Sequence, residues 1–179
     1  MATVAYTLFR TPIGHCALVW NRSGLLAVQL PEATAAATAQ RVRARFAGAA
    51  RRLPPKPVRG ARRAILRLLQ DGVDELAVIS LDLSRCSPFF RRVYQLTRAI
   101  PAGQTVSYGE LAARAGEPRA ARAVGQAMAR NPFPLIVPCH RVTAAHGGAG
   151  GFSAYGGIGT KHRLLSIEGA IPQRALPLS

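Results

Sequence analysis

The chain has 179 residues, 49% of them hydrophobic, which suits one ordinary domain or two small ones sharing an interface and excludes bulk disorder. Lys and Arg number 24 against 8 Asp and Glu, a net charge of +16, which favours polyanions: nucleic acid first, an anionic membrane surface second. No apolar run is long enough to span a bilayer, MATVAYTLFRTPIG lacks the pattern of a signal peptide, and Cys16, Cys86 and Cys139 make neither a disulfide framework nor a zinc set, so a reducing, cytoplasmic setting is expected.

Residues 3–10 and 16–30 read as short strands, with turns at Thr11-Pro12-Ile13-Gly14 and Asn21-Arg22-Ser23-Gly24. Residues 34–47 are Ala-rich with Arg on one side and suit a helix. Leu53-Pro54-Pro55-Lys56-Pro57 ends it, because proline removes donors and disfavours helix before itself. Residues 60–70 read as a second helix and 76–83 (LAVISLDL) as a strand.

From Ser87 the pattern turns helical. Ser87 caps, Pro88 takes the first helical position, and Phe89, Val93, Leu96 and Ile100 form one apolar stripe. Ser107 is expected to cap a helix from Tyr108 to Ala115, with Glu110 completing a capping box. Gly116-Glu117-Pro118 makes a tight turn into a helix from Arg119 to Arg130. Helix, short turn with Gly, helix is the outline of a helix-turn-helix. The expected fold is α+β: a small N-terminal α/β unit with an antiparallel sheet (1–84) and a mainly helical C-terminal domain (85–179) containing the helix-turn-helix.

In the Arg119–Arg130 helix, Ala120, Ala121, Ala123, Val124, Ala127 and Met128 give a small apolar surface. Arg119, Arg122, Gln126 and Arg130 run along the other side. Small side chains beside Gly125 let a backbone approach a groove, and a long Arg among them can reach in as a wedge. A plain surface helix with solvated Arg is the alternative.

Residues 131–142 read Asn-Pro-Phe-Pro-Leu-Ile-Val-Pro-Cys-His-Arg-Val. Leu135-Ile136-Val137 is expected to be buried, with Cys139 and His140 emerging after Pro138. A thiol becomes a good nucleophile only as the thiolate, and an adjacent imidazole can take its proton directly or through water. Arg141 adds positive charge, and Glu168, the only acidic residue after Glu117, is the natural partner for His140. A buried structural cysteine is the bland alternative. A thiol protease is a formal rival, but such enzymes keep Cys and His far apart in sequence. The Gly-rich stretch 147–157 (GGAGGFSAYGG) lacks the phosphate-loop pattern; it reads as a cover over a bound base or a flexible loop. Lys161 to Gly169 reads as a last short helix with Leu164, Leu165 and Ile167 toward the core.

These motifs resemble the O6-alkylguanine-DNA alkyltransferases (methylated-DNA–protein-cysteine methyltransferases). The resemblance rests on Pro138-Cys139-His140-Arg141 with Asn131-Pro132 upstream, on Val106-Ser107-Tyr108-Gly109-Glu110-Leu111-Ala112 and on Ala120-Ala121-Arg122-Ala123-Val124-Gly125, and spans Ser87 to Gly169. It implies single-turnover transfer of the alkyl group from O6-alkylguanine, and from O4-alkylthymine, in duplex DNA to Cys139. His140 would be the base through a water, Glu168 would orient it, and Tyr108 would donate a proton toward the guanine. Arg122 would fill the gap left by the flipped nucleotide. Ala121, Ala123, Gly125, Gln126, Arg119 and Arg141 would accompany it at the DNA. Asn131 would hold the turn, Pro134 would wall the pocket, and the backbone at Cys139 and Val142 would meet the base with Ser153. The implied partner is double-stranded DNA containing alkylated guanine, with no membrane, no cofactor and no metal. The protein would be a cytoplasmic monomer able to cluster on DNA, nucleoid-associated in a bacterium.

The loop Gly151-Phe152-Ser153-Ala154-Tyr155-Gly156-Gly157 is longer by two than the family's Gly-Tyr-Ser-Gly-Gly type, which leaves Phe152 and Tyr155 as alternatives for packing on the base. His15, Cys16 and Cys86 do not make the four-ligand zinc set of some relatives. Two rivals remain: a non-enzymatic protein that binds alkylated DNA, against which Cys139 argues, and a helix-turn-helix regulator, which an Ala-rich reading helix disfavours.

Overall fold

The computed structural model describes residues 3–145 and 148–170; Gly147 of the Gly-rich stretch and residues 171–179 of the expected second domain lie outside them. The chain opens with three antiparallel strands, β1 (Ala5–Thr11), β2 (Gly14–Asn21) and β3 (Gly24–Gln29). The helix α1 (Ala35–Arg45) follows, capped by Thr34, whose side chain accepts from the amide of Ala37. A two-residue strand β4 (Ala50–Arg51) then pairs parallel to β1, so the sheet order is β3-β2-β1-β4.

The inner strand β2 is apolar on both faces because both are covered. Cys16, Leu18 and Trp20 enter the main core, while Ala17 and Val19 join Tyr6, Ala39 and Val42 beneath α1. The main core runs without interruption from Phe9 and Leu18 through Ile65 and Leu68 to Leu111, Val124, Val137 and Leu164. The two halves expected from the sequence therefore share one hydrophobic interior.

Two sequence expectations are corrected in this region. The proline cluster does not close the first helix; it opens the second. The helix α2 (Lys56–Asp71) has Pro55 as its N-cap and a proline in its first turn, where a missing N–H leaves no intrahelical bond unmade. Residues 76–83 do not form a strand. Leu76–Val78 is a turn of 3-10 helix, and a single bridge joins Leu81 to Leu25. Asp74 takes the amide of Leu76, and the Arg98 guanidinium donates to the carbonyls of Leu76, Ala77 and Ile79. Backbone groups that a strand would offer a neighbour are thus held by side chains.

The C-terminal half follows the expected order. Ser87 caps α3 (Pro88–Arg98). The strand β5 (Val106–Ser107) leads into α4 (Tyr108–Arg114), whose capping box joins Ser107 and Glu110 reciprocally. After a turn comes α5 (Ala121–Ala129), and Tyr94 of α3 donates its hydroxyl to the Ala127 carbonyl at 2.9 Å. Arg119 lies in the turn before α5 and not on its face. The strand β6 (Val142–Thr143) pairs parallel to β5, and α6 (Gly157–Ile167) completes the fold. This last helix starts four residues earlier than the sequence suggested, from Gly156 at φ +82°, a left-handed geometry that glycine adopts without strain. No described helix is long and apolar enough to cross a membrane.

Candidate active site

The segment after α5 is pinned before it reaches its reactive residues. The Asn131 side chain accepts from the amide of Phe133 at 2.9 Å and donates to the Val137 carbonyl at 2.7 Å. The Pro132 carbonyl accepts from the amide of Val28 in β3, so the sheet edge holds the segment too. Leu135, Ile136 and Val137 are buried as expected. Cys139–Arg141 then forms a turn of 3-10 helix leading into β6.

Cys139 is 8% exposed and sits where two openings meet. The smaller, about 480 Å³, is bounded by Tyr108, Gly125, Met128, Gly151 and Phe152. The larger, about 630 Å³, runs past Asn131 and Pro134 toward α1. The sulfur therefore lies at the floor of an accessible site and not sealed in the core. Burial pushes the Cys139 thiol up, while the Asn131 side chain, Lys161 and local backbone groups oppose that shift.

The next two side chains form a closed charge cluster. His140 Nε2 lies 2.8 Å from Glu168 Oε1. Arg141 grips the same carboxylate with Nε to Oε2 at 2.9 Å and Nη2 to Oε1 at 2.8 Å, and donates Nη1 to the Ile100 carbonyl at 2.6 Å. Its Nη2 also pairs with Asp74 Oδ2 at 2.7 Å. Burial would raise the Glu168 carboxyl, but the hydrogen bonds from His140 and Arg141 prevail and hold it at about 2. Burial lowers His140 despite Glu168, so its neutral form is favoured. With Nε2 facing the carboxylate, Nδ1 is left buried with no hydrogen-bond partner among the described residues. A buried ring nitrogen of this kind calls for a polar partner.

Arg141 thus departs from both expectations for it. At 1% exposure it cannot reach DNA, and its charge is committed to Glu168 and Asp74. The cation near the sulfur is Lys161, fully buried, with Nζ donating to the Val142 carbonyl at 2.6 Å and 6.0 Å from the Tyr108 ring centre. Burial lowers its pKa, and Cys139 opposes that. The sequence reading missed Lys161 and Asp74. Lys161 had a signal, because it shares a helical face with Leu164 and Leu165. Asp74 had none, because its partner lies far along the chain.

Tyr108 is the first residue of α4, so the capping box and the β5–β6 ladder fix its position relative to Cys139. Burial and the neighbouring Cys139 raise its pKa and keep its proton on. Gly150, at φ +68°, packs against it, and a Cβ there would lie 2.8 Å from the phenol oxygen. Phe152 and Ser153 line both openings. Tyr155, 57% exposed, lines neither, so Phe152 is the aromatic of the two that borders the slot. Val142 is fully buried and can contribute only through its backbone. Pro134 walls the larger opening alone. On α5, Arg122 and Gln126 are exposed, with Ala121, Ala123 and Gly125 half-buried beside them. The arrangement places a thiol and a proton-bearing phenol on one slot beside a helix pair, with a neutral imidazole next in sequence to the thiol and backed by a carboxylate.

Comparison with known proteins agrees with this geometry. A family model described as 6-O-methylguanine DNA methyltransferase, DNA binding domain, matches residues 88–170. The methylated-DNA–protein-cysteine methyltransferase of Methanothermobacter thermautotrophicus is 44% identical over 106 residues, 58% of this chain and 57% of that relative. That of Salmonella typhimurium is 51% identical over 83 residues, 46% of this chain and 47% of its own. The chain spans about half the length of the curated relatives it matches. Among solved structures, the Mycobacterium tuberculosis O6-methylguanine methyltransferase is 34% identical with a TM-score of 0.73, covering 96% of each chain. Mycobacterium tuberculosis OGT in complex with DNA is 33% identical with a TM-score of 0.71, covering 93% of each. A likeness that runs along nearly the whole of both chains, around a Pro-Cys-His-Arg turn that opens into a slot beside a helix pair, makes this chain a member of the O6-alkylguanine-DNA alkyltransferase family.

Proposed function

We propose that this protein repairs duplex DNA by moving the alkyl group from O6 of guanine onto Cys139, once per molecule. The observation that carries this reading is the placement of Cys139 at the floor of the slot between Tyr108 and Phe152, with the His140–Glu168 pair behind it. O6 cannot be reached in a stacked duplex, so the nucleotide must swing out, at an unstacking penalty of about a few kcal/mol. The small residues of α5 let the backbone approach the groove, and exposed Arg122 fills the space the base leaves. Exposed Arg119 and Gln126, with further surface arginines, contact the backbone and give affinity without sequence choice.

In the slot, His140 Nδ1 takes the Cys139 proton through a bridging water. The sulfur forms a bond to the alkyl carbon as the carbon–O6 bond breaks. Tyr108 protonates the departing purine, which makes it a better leaving group, and Lys161 offsets negative charge on the sulfur and the phenol. The thioether that results is stable, so the sulfur is not regenerated. Residues 85–170 would carry this chemistry, with residues 1–84 buttressing it. The protein would act as a monomer, with the DNA of its cell as its site of action.

Intact mass after incubation with a duplex holding O6-methylguanine tests the proposal. One added methyl, mapped to the peptide with Cys139 and absent in Cys139→Ser, is expected. An unchanged mass, or a methyl on the Ser variant in one-to-one amount, rejects it.

A further inference from the structure

The larger opening at Cys139 extends beyond the slot in which the base is proposed to sit. It shares Met128, Phe152 and Ser153 with the smaller slot, then leaves it and continues between the two halves of the chain to Gln29, Arg41 and Arg45. A purine seated against Tyr108 and Gly125 presents its O6 side to the sulfur. On the alkyl-transfer reading, the part of the substituent beyond the reacting carbon has this cleft open to it.

The charge there is one-sided. Arg41, Arg45 and Arg130 line the cleft against a single carboxylate, Glu32. Glu32 lies 4.0 Å from Arg41 Nε and within 3.4 Å of the Gln29 amide, so it offsets Arg41. Arg45 and Arg130 form no ion pair among the described residues. Arg45 lies with its guanidinium 5.3 Å from the centre of the Phe46 ring. Partial burial and repulsion from Arg41 lower its pKa. Guanidinium groups suit carboxylates in both shape and charge.

We propose that this cleft is a substituent subsite that selects O6-alkyl groups ending in a carboxylate, with Arg45 and Arg130 as the residues that recognise it. The inference rests on the alkyl-transfer reading. The chemistry at the sulfur is the same: the S–C bond forms, the C–O6 bond breaks, and the carboxylate travels unchanged on the resulting thioether. Arg41, Arg45 and Arg130 are solvent-exposed, so their attraction for a carboxylate is modest and screened by salt. An acid should therefore react faster than its neutral isostere.

The test uses the full chain and duplexes carrying O6-methylguanine, or O6-(ω-carboxyalkyl)guanine of increasing chain length and the matching primary amides, under single-turnover conditions. At one chain length the acid should react several-fold faster than the amide, falling toward equality in Arg45→Gln and Arg130→Gln and in high salt. Equal acid and amide rates at every length, with methyl still transferred, overturn the subsite while leaving alkyl transfer intact. Loss of the methyl reaction itself would reject the underlying function instead. If the variants slow methyl, acid and amide alike and weaken duplex binding, the arginines serve the phosphate backbone and the proposal fails.

Discussion

Asp74, in the link after α2, places its Oδ2 2.7 Å from Nη2 of Arg141, two residues after the reactive sulfur. The N-terminal half thereby reaches into the charge cluster behind Cys139. Arg141 is 1% exposed at its side chain and Asp74 only 23%, so the pair is screened far less than a surface bridge. Asp74→Asn keeps the shape and removes the charge. It is expected to lower stability by about 1–2 kcal/mol in urea unfolding and to slow transfer several-fold while Glu168 still holds the guanidinium. Unchanged stability and rate would show that the link is ornamental.

Glu168 gives the fold an acid limit. Its carboxyl is held at about 2, below the ordinary 4.5. A carboxylate lowered on folding contributes stability above its unfolded value, and that contribution is lost as pH falls toward the folded value. Burial also lowers His140; the unfolded imidazole takes its proton first, which adds a loss in the same direction below its ordinary 6.5. Glu168→Gln should therefore be less stable at neutral pH and show a flatter decline between about pH 4.5 and pH 2. A variant with as steep a decline as the parent would locate the acid sensitivity elsewhere.

Gly150 and Tyr108 are in close approach. A methyl at Gly150 would lie 2.8 Å from the phenol oxygen and 2.9 Å from a ring carbon, at a φ of +68° that side chains rarely adopt. Gly150→Ala should displace Tyr108 and reduce the transfer rate by up to about 10²-fold, the scale of general acid assistance. Labelling of Cys139 by a small thiol reagent should be little changed. Loss of both together would point to a wider collapse of the slot.

Lys161 is a fully buried cation whose charge works against the burial that raises the Cys139 thiol. Lys161→Met keeps the length and removes the charge. The pH midpoint of Cys139 labelling should move upward, and transfer at neutral pH should slow by roughly tenfold for each unit of that movement. A midpoint that stays put would assign Lys161 to packing alone.

Much of this site was legible before any coordinates. The Cys139-His140 pair, the capping box at Ser107 and Glu110, and the turn between α4 and α5 are local patterns, and local patterns survive folding. Glu168 is legible by elimination, since it is the only acidic residue after Glu117. Legibility failed where distant segments meet. The 76–83 stretch alternates like a strand, yet Arg98 from α3 takes its carbonyls. Arg141 reads as a free cation until Asp74 and Glu168 close on it. The prolines at 54–57 look like a stop, and only the helix that follows shows them to be a start.

The short parallel ladder joining Val106 to Val142 and Ser107 to Thr143 has a consequence for how this architecture tolerates change. It staples together the two ends of the excursion that holds α4, α5 and the reactive turn. Phenol and sulfur each stand a few residues from that staple, so their separation is set at the neck of the loop and not along its length. The helices α4 and α5 can drift in composition or angle, while the phenol and the sulfur keep their spacing.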